Sequence, residues 1–133
     1  MQVTKNGGFA ALESPDGKSI YYTKFNAKGI WQVPVDGGQE NKVVDEPPGD
    51  FWGYFAVGRD GLYFIGDPGT SAKHPPGFKF FDFATRTITV MGDLEKFPYH
   101  AAPGLSVSPD GQYLLYVQLD DARTSLMLAE NFH

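Results

Sequence analysis

The chain has 133 residues, of which 41% are hydrophobic and 15% aromatic, with sixteen glycines, ten prolines and no cysteine. Its formal net charge of −5 argues against a nucleic-acid surface, because phosphate binding draws on clustered lysines and arginines. The lack of cysteine excludes disulfides and thiolate zinc sites, and no apolar run approaches the ~18 residues of a membrane span. We therefore expect one soluble globular unit, in either cytoplasm or periplasm.

The first half of the chain predicts one short isolated strand and one four-stranded unit. The isolated strand is Gln2 to Lys5, and the turn Asn6-Gly7-Gly8 follows it. The unit spans residues 8–47 and contains the turn Ser14 to Gly17 after its first strand. Its predicted strands are Phe9 to Glu13, Ser19 to Lys24, Ile30 to Val35 and Asn41 to Asp45.

The second half of the chain predicts a second four-stranded unit and a shorter third one. The second unit spans residues 50–94, with strands at Gly53 to Val57, Leu62 to Gly66, Phe78 to Phe83 and Thr87 to Met91. The third spans residues 100–133 and has three strands, at Gly104 to Val107, Tyr113 to Leu119 and Ser125 to Ala129. It lacks a fourth strand.

One tight turn recurs in all three units. It is Ser-Pro-Asp-Gly at 14–17 and 108–111, and it is degenerate at Gly58-Arg59-Asp60-Gly61. Proline fixes one φ angle, aspartate caps local amides, and glycine supplies the positive φ that lets the chain reverse. The three turn aspartates are 44 and 50 residues apart, an interval typical of β-propeller blades. We therefore predict an all-β propeller module with about three four-stranded antiparallel blades per chain.

The turns and the strands after them resemble the TolB-like, WD-repeat-like propeller repeat, in which an apolar strand, Ser-Pro-Asp-Gly and an Ile/Tyr/Phe-rich strand follow one another. The stretch from Gly104 to Phe132 is similar to the end of propeller domains in large bacterial proteins. Several of those proteins carry a winged-helix or protein-kinase domain. The resemblance implies a scaffold for protein or small-ligand recognition, within a larger bacterial sensory or regulatory protein. The alternative is an accessory propeller that gates a hydrolase or peptidase whose catalytic domain is absent here.

The sequence predicts no catalytic residue, metal site or cofactor. Ser14 and Ser108 precede prolines in turns and lie outside any Gly-x-Ser-x-Gly elbow. His74 and His100 would need a third ligand, such as Asp67 or Asp121, to hold a metal, and their spacing fits no metal motif. We expect a protein that is not an enzyme.

Loops at the rim opposite the recurring turns are the candidate binding region, because propellers usually bind through such loops. The alternative that these loops bind nothing in particular stays open. The candidate ligand-binding residues are Asp67, Lys73, His74, Tyr99, His100 and Arg123.

Three blades do not close a ring, so the sequence also predicts a partner. Two chains would supply six blades, and the segment Gln2 to Lys5 of each could complete the third blade of the other. We expect a six-bladed homodimer, or closure by the missing blades of a longer chain.

The rim assignment predicts that His74→Ala and Tyr99→Ala each weaken binding of any ligand that this protein captures, because they remove the polar and aromatic contacts of the loops. Titration of the captured ligand by calorimetry measures the effect. Unchanged affinity in both variants, with weakened affinity after changes near Asp16 or Asp110, would place the ligand on the opposite face.

Overall fold

The computed structural model describes residues 2–25, 27–46, 51–66, 77–96, 98, 103–120 and 123–131. The named secondary-structure elements within these residues are all β-strands, as predicted. They are β1 (Phe9–Glu13), β2 (Ser19–Lys24), β3 (Ala27–Pro34), β4 (Asn41–Val44), β5 (Phe55–Val57), β6 (Gly61–Gly66), β7 (Gly77–Asp82), β8 (Ile88–Asp93), β9 (Leu105–Val107), β10 (Tyr113–Asp120) and β11 (Arg123–Glu130).

The strands form three antiparallel sheets in sequence order, which we call blades 1, 2 and 3. Blade 1 is β1 to β4, blade 2 is β5 to β8, and blade 3 is β9 to β11. Strand β1 lies beside β5, and β5 lies beside β9, so the first strands of the three blades are neighbours. This is the arrangement of a partial propeller, and it confirms the predicted fold class.

The strand predicted at Gln2 to Lys5 is not present in this single chain. A strand needs a neighbour to complete its hydrogen bonds, and residues 2–5 pair with none of the described strands. Val3 instead packs on the side chains of blade 1. The prediction was wrong for the isolated chain because a strand-like composition does not supply a pairing edge.

The recurring turn is held by its own serine and aspartate. In blade 1 the Ser14 hydroxyl donates to Asp16 Oδ1 at 2.6 Å, and the Lys18 amide donates to the same oxygen at 3.1 Å. Ser108 and Asp110 repeat this pair in blade 3 at 2.6 Å. These hydrogen bonds lower the pKa of both aspartates, with the serine hydroxyl as the largest cause. The motif therefore builds a turn from local contacts alone.

Two apolar clusters join the blades. Tyr21 and Ile30 of blade 1 pack against Leu62, Phe64 and neighbouring residues of blade 2. A second cluster joins blades 2 and 3, and its buried members are Tyr54, Ile65, Phe78, Leu94, Leu114 and Tyr116. Burial of large apolar side chains between sheets is the main source of stability in such a fold.

Polar contacts fix the blades at the same places. The Thr23 hydroxyl donates to the Trp52 carbonyl at 2.8 Å, and it satisfies a side chain that is buried between blades 1 and 2. The Tyr54 hydroxyl donates to the Val117 carbonyl of blade 3 at 2.8 Å. A Cβ atom on Gly104 would lie 2.5 Å from the Tyr54 ring, so only glycine fits at this junction.

Polar residues cover the face of blade 1 that points away from blade 2. Tyr22 and Trp31 lie on this face, and Tyr22 donates a hydrogen bond to Glu40. Lys24 and Asn6 also donate to Glu40, at 2.8 and 2.9 Å. These three donors, Lys24 first, lower the Glu40 pKa from 4.5 to about 2. Glu40 thereby links the segment before β1 to the surface of blade 1.

We expect Gly104→Ala to destabilise the fold by ~1–3 kcal/mol, the usual range for overpacking, because the new methyl group overlaps the Tyr54 ring. Urea denaturation monitored by tryptophan fluorescence measures the loss. Gly92→Ala is the matched control, since a Cβ there meets nothing within 4 Å. Equal stability of the two variants would contradict the packing of this junction.

Glu40 predicts an acid-dependent loss of stability. Its pKa is lower in the folded chain, about 2, than its ordinary value of 4.5, so the folded state binds fewer protons. Its stabilising effect is present above about pH 4.5 and declines as the pH falls towards 2. Melting curves of the natural chain and of Glu40→Gln should differ at neutral pH and converge as the pH falls. A constant difference, or the same behaviour in the exposed control Glu130→Gln, would refute this role.

Candidate functional site

Two grooves lie between neighbouring blades, on the face that carries the recurring turns. The first, about 550 Å³, separates blades 1 and 2, and the second, about 460 Å³, separates blades 2 and 3. Both volumes lie in the range of small-molecule sites. The first groove, which we call groove 1, is lined by Ser14, Pro15, Asp16, Ser19, Tyr21, Gln32, Val43, Arg59, Phe83 and Arg86.

Two stacked aromatic rings contribute the apolar surface of groove 1. Tyr21 and Phe83 have ring centroids 5.5 Å apart and planes inclined by 18°. Burial is the main cause that raises the Tyr21 pKa, the charge of Asp16 adds to the rise, and Arg86 opposes it. The Tyr21 hydroxyl therefore lies in the field of an anion and a cation, and it stays a neutral hydrogen-bonding group at physiological pH.

The wall of groove 1 on the side of blade 1 is polar and already ordered. Gln32 Nε2 donates to Ser19 Oγ at 2.9 Å, across the pair β2 and β3. The Ser19 amide donates to Ser14 Oγ at 3.0 Å, and Ser14 donates to Asp16. This chain of hydrogen bonds ties the wall to the turn, so its polar atoms have fixed positions before any ligand arrives.

Two exposed arginines of blade 2 complete groove 1. Arg59 belongs to the degenerate turn, and Arg86 follows β7 with a positive φ of 57°. The Arg86 guanidinium lies 5.5 Å from the Phe81 ring centroid, and within the described residues neither arginine forms an ion pair with a carboxylate. With Asp16 as the one acidic lining residue, the charged side chains of groove 1 are predominantly cationic.

The second groove also lies between two neighbouring blades at their recurring turns, but its charged lining residues are predominantly acidic. Arg59 also lines it, together with Asp60 and Asp110. Its aromatic residue is Tyr63, whose pKa is raised by burial and then by Asp60. The repeat therefore produces two equivalent clefts, and only groove 1 receives a second arginine.

Five of the six rim residues predicted from the sequence lie outside the described residues: Asp67, Lys73, His74, Tyr99 and His100. The sixth, Arg123, is the first residue of β11, where its backbone pairs with Asp120. Gln118 lies near the same end of β10, and its buried side-chain oxygen accepts no hydrogen bond from the described residues. The rim site stays a prediction.

Sequence reasoning missed groove 1, because its arginines come from distant parts of the chain. The departure of Gly58-Arg59-Asp60-Gly61 from the repeat was visible, and it marks the place where an arginine replaces the turn proline. Arg86 lies outside the repeated turn, and nothing in the sequence around it indicates a binding residue. The pairing of β6 with β7 places both arginines at the same end of blade 2, and the packing of blade 1 on blade 2 adds the other wall of the cleft.

Two features are absent from the residues that the structure describes. No helix there has the length and the apolar character that a membrane crossing requires. No cluster of three or more His, Cys, Asp or Glu side chains in that part of the chain could bind a metal ion.

Solved structures identify the fold, although no protein-family model and no curated protein matches the sequence. TolB from Acinetobacter baumannii has a TM-score of 0.68 at 14% identity, over 92% of this chain and 29% of that one. A putative TolB from Agrobacterium tumefaciens gives 0.68 at 14%, over 96% and 46%. An oligogalacturonate lyase in complex with manganese gives 0.63 at 20%, over 97% and 42%.

The chain spans less than half the length of each of these three structures. Their identities show a shared fold and nothing finer. The similarity covers all three blades and agrees with the Ser-Pro-Asp-Gly repeat and with the order of the sheets. The chain therefore has the fold of the TolB-like β-propellers, and it forms about three blades of one.

Proposed function

We propose that this chain is a non-enzymatic β-propeller module that recognises small ligands through an anionic group, a carboxylate or a phosphate, bound in groove 1. The observation that carries the proposal is the pair Arg59 and Arg86 beside an aromatic surface. Arginines without carboxylate partners in the described part of the chain are notable in a protein of net charge −5. They are available to a ligand.

The chemistry of the two arginines suits an oxyanion. A guanidinium presents several N–H donors in a planar fork, which matches the two oxygens of a carboxylate or two of a phosphate. The Tyr21 and Phe83 rings offer an apolar surface for the rest of the ligand, and Gln32 adds a polar contact. A ligand with an anionic end and a flat or apolar body would use all of these groups.

The second groove supports the choice of groove 1. It shares Arg59 but adds two acidic residues, Asp60 and Asp110, which repel an anion. A single chain therefore contains an internal comparison, with one cleft suited to an anion and one that is not. We expect binding at groove 1 alone.

Citrate and inorganic phosphate are suitable first probes, because they carry the proposed groups without a particular body. We expect Arg86→Ala to weaken citrate binding about tenfold or more, the usual consequence of losing a charge-assisted hydrogen bond. Chemical-shift titration measures both the affinity and the place, with shifts expected at Tyr21 and Gln32. Lys5→Ala, which removes one exposed positive charge elsewhere, is the control.

Arg59→Ala should have a comparable effect on citrate binding, since both guanidiniums line the cleft. Equal affinity in the natural chain, Arg86→Ala and Lys5→Ala would refute the site. Affinity that depends instead on His74 and Tyr99 would move the binding site to the predicted rim.

An accessory role in an enzyme remains the second candidate, because the same fold occurs in the oligogalacturonate lyase named above. In that reading this chain gates or supports a catalytic domain of a longer protein. The neighbouring coding sequence distinguishes the two. A hydrolase or peptidase segment favours the accessory role, and a winged-helix or kinase segment favours a sensory scaffold.

A further inference from the structure

The second strand of every blade places its residues alternately on two faces. In blade 2, Leu62 and Phe64 pack towards blade 1, and Tyr63 between them packs towards blade 3. The equivalent triplets are Ile20-Tyr21-Tyr22 in blade 1 and Leu114-Leu115-Tyr116 in blade 3. Tyr21 faces blade 2, and Leu114 and Tyr116 also face blade 2, so all three blades follow one rule.

Among the described blades, the rule leaves a large apolar face on blade 3 without a neighbouring blade. Leu115 corresponds to Tyr21 and Tyr63, but no described blade follows it. Its cross-strand partner is Leu128, and Val117 pairs with Leu126 beside it. Leu126 is 65% exposed and Leu128 55% exposed. This outer face of blade 3 consists of Tyr113, Leu115, Val117, Leu119, Leu126 and Leu128.

Exposed apolar patches of this kind mark interaction surfaces, and the chain itself shows what covers such a face. The face of Tyr21 is covered by Leu62 and Phe64, and the face of Tyr63 is covered by Leu114 and Tyr116. In both cases the middle residue of one triplet is covered by the first and third residues of the triplet in the next blade. The one remaining triplet face of that kind is on blade 1, where it carries Ile20, Tyr22, Trp31 and Val33.

We infer that the outer face of blade 3 binds the outer face of blade 1 of a second copy of this chain. Two copies related by a two-fold axis form two such contacts and six blades, which closes a ring. Two of the similar structures accord with a doubled chain, since the chain covers 46% of the Agrobacterium protein and 42% of the lyase, whereas it covers 29% of the Acinetobacter TolB. This inference does not rest on groove 1.

Closure requires a local rearrangement at blade 1. Its outer face is covered in the single chain by Val3, and Glu40 joins Asn6 to Tyr22 and Lys24. These contacts bury Tyr22, Trp31 and Val33 in the single chain, so contact with a partner must replace them. The segment before β1 must withdraw, and it is then free to extend along β11 of the partner, as its sequence predicts.

Light scattering of the whole chain tests the assembly. We expect a mass near twice 14.6 kDa, and a monomer from Leu126→Glu, which places a charge in the middle of the contact. Val90→Glu is the matched control, because Val90 is also 65% exposed but belongs to β8 of blade 2. A monomeric natural chain at high concentration, or a dimer unchanged by Leu126→Glu, would overturn the inference.

Cross-linking distinguishes the proposed contact from two blade 3 faces packed on each other. The chain has no cysteine, so Ile20→Cys and Leu115→Cys introduce single thiols. A short bismaleimide should join the two variants when they are mixed and should join neither variant to itself. Self-linking of Leu115→Cys alone would show the wrong pairing and refute the proposal. A dimer that keeps full stability after deletion of residues 1–5 would refute the part assigned to that segment.

Discussion

The structure depends on one constraint, which is that the second strand of each blade must be apolar on both faces. A blade in a propeller lies between two neighbouring blades. Both faces of its second strand are therefore buried, and the strand does not alternate between buried and solvent-exposed residues. Leu62, Tyr63 and Phe64 meet this requirement with three consecutive large side chains. Thr23 is a buried polar residue of such a strand, and its hydroxyl donates to the Trp52 carbonyl.

The two ends of the stack meet this constraint differently. Blade 1 shields its outer face with the chain segment before β1 and with a network around Glu40. Blade 3 leaves Leu115, Leu126 and Leu128 of its outer face exposed to solvent. The difference arises from connectivity, because a preceding segment can fold back on blade 1, whereas blade 3 in the described chain has only three strands.

The sequence predicted the elements whose causes are local. The turns at Ser14 and Ser108 follow from side chains that bond within five residues, and glycines 17 and 111 have the expected positive φ. Strand order followed from the turns. The third strand began earlier than predicted, at Ala27, because pairing with Lys24 extends it beyond its apolar part.

Features that depend on non-local packing could not be predicted. The segment Gln2 to Lys5 has the composition of a strand, but it pairs with none of the described strands of the single chain. Groove 1 depends on the contact between two blades, and Arg86 has an ordinary sequence context. The loops chosen as the binding rim were selected by length and composition, and most of their residues are not among those described.

The degenerate turn of blade 2 has a consequence for how such a protein can diversify. In the other two turns the serine donates a hydrogen bond to the aspartate, and the aspartate accepts one from a backbone amide. Substitution of either residue therefore removes hydrogen bonds that stabilise the turn. Backbone hydrogen bonds close all three turns, and in blade 2, where Gly58 has no side chain, they run from the Gly58 amide to the Gly61 carbonyl and from the Phe83 amide to the Asp60 carbonyl. The Arg59 side chain takes no part in these backbone hydrogen bonds, and it borders both grooves. Position 59 is a site at which mutation can alter the chemistry of two clefts at once with little effect on the scaffold that forms them.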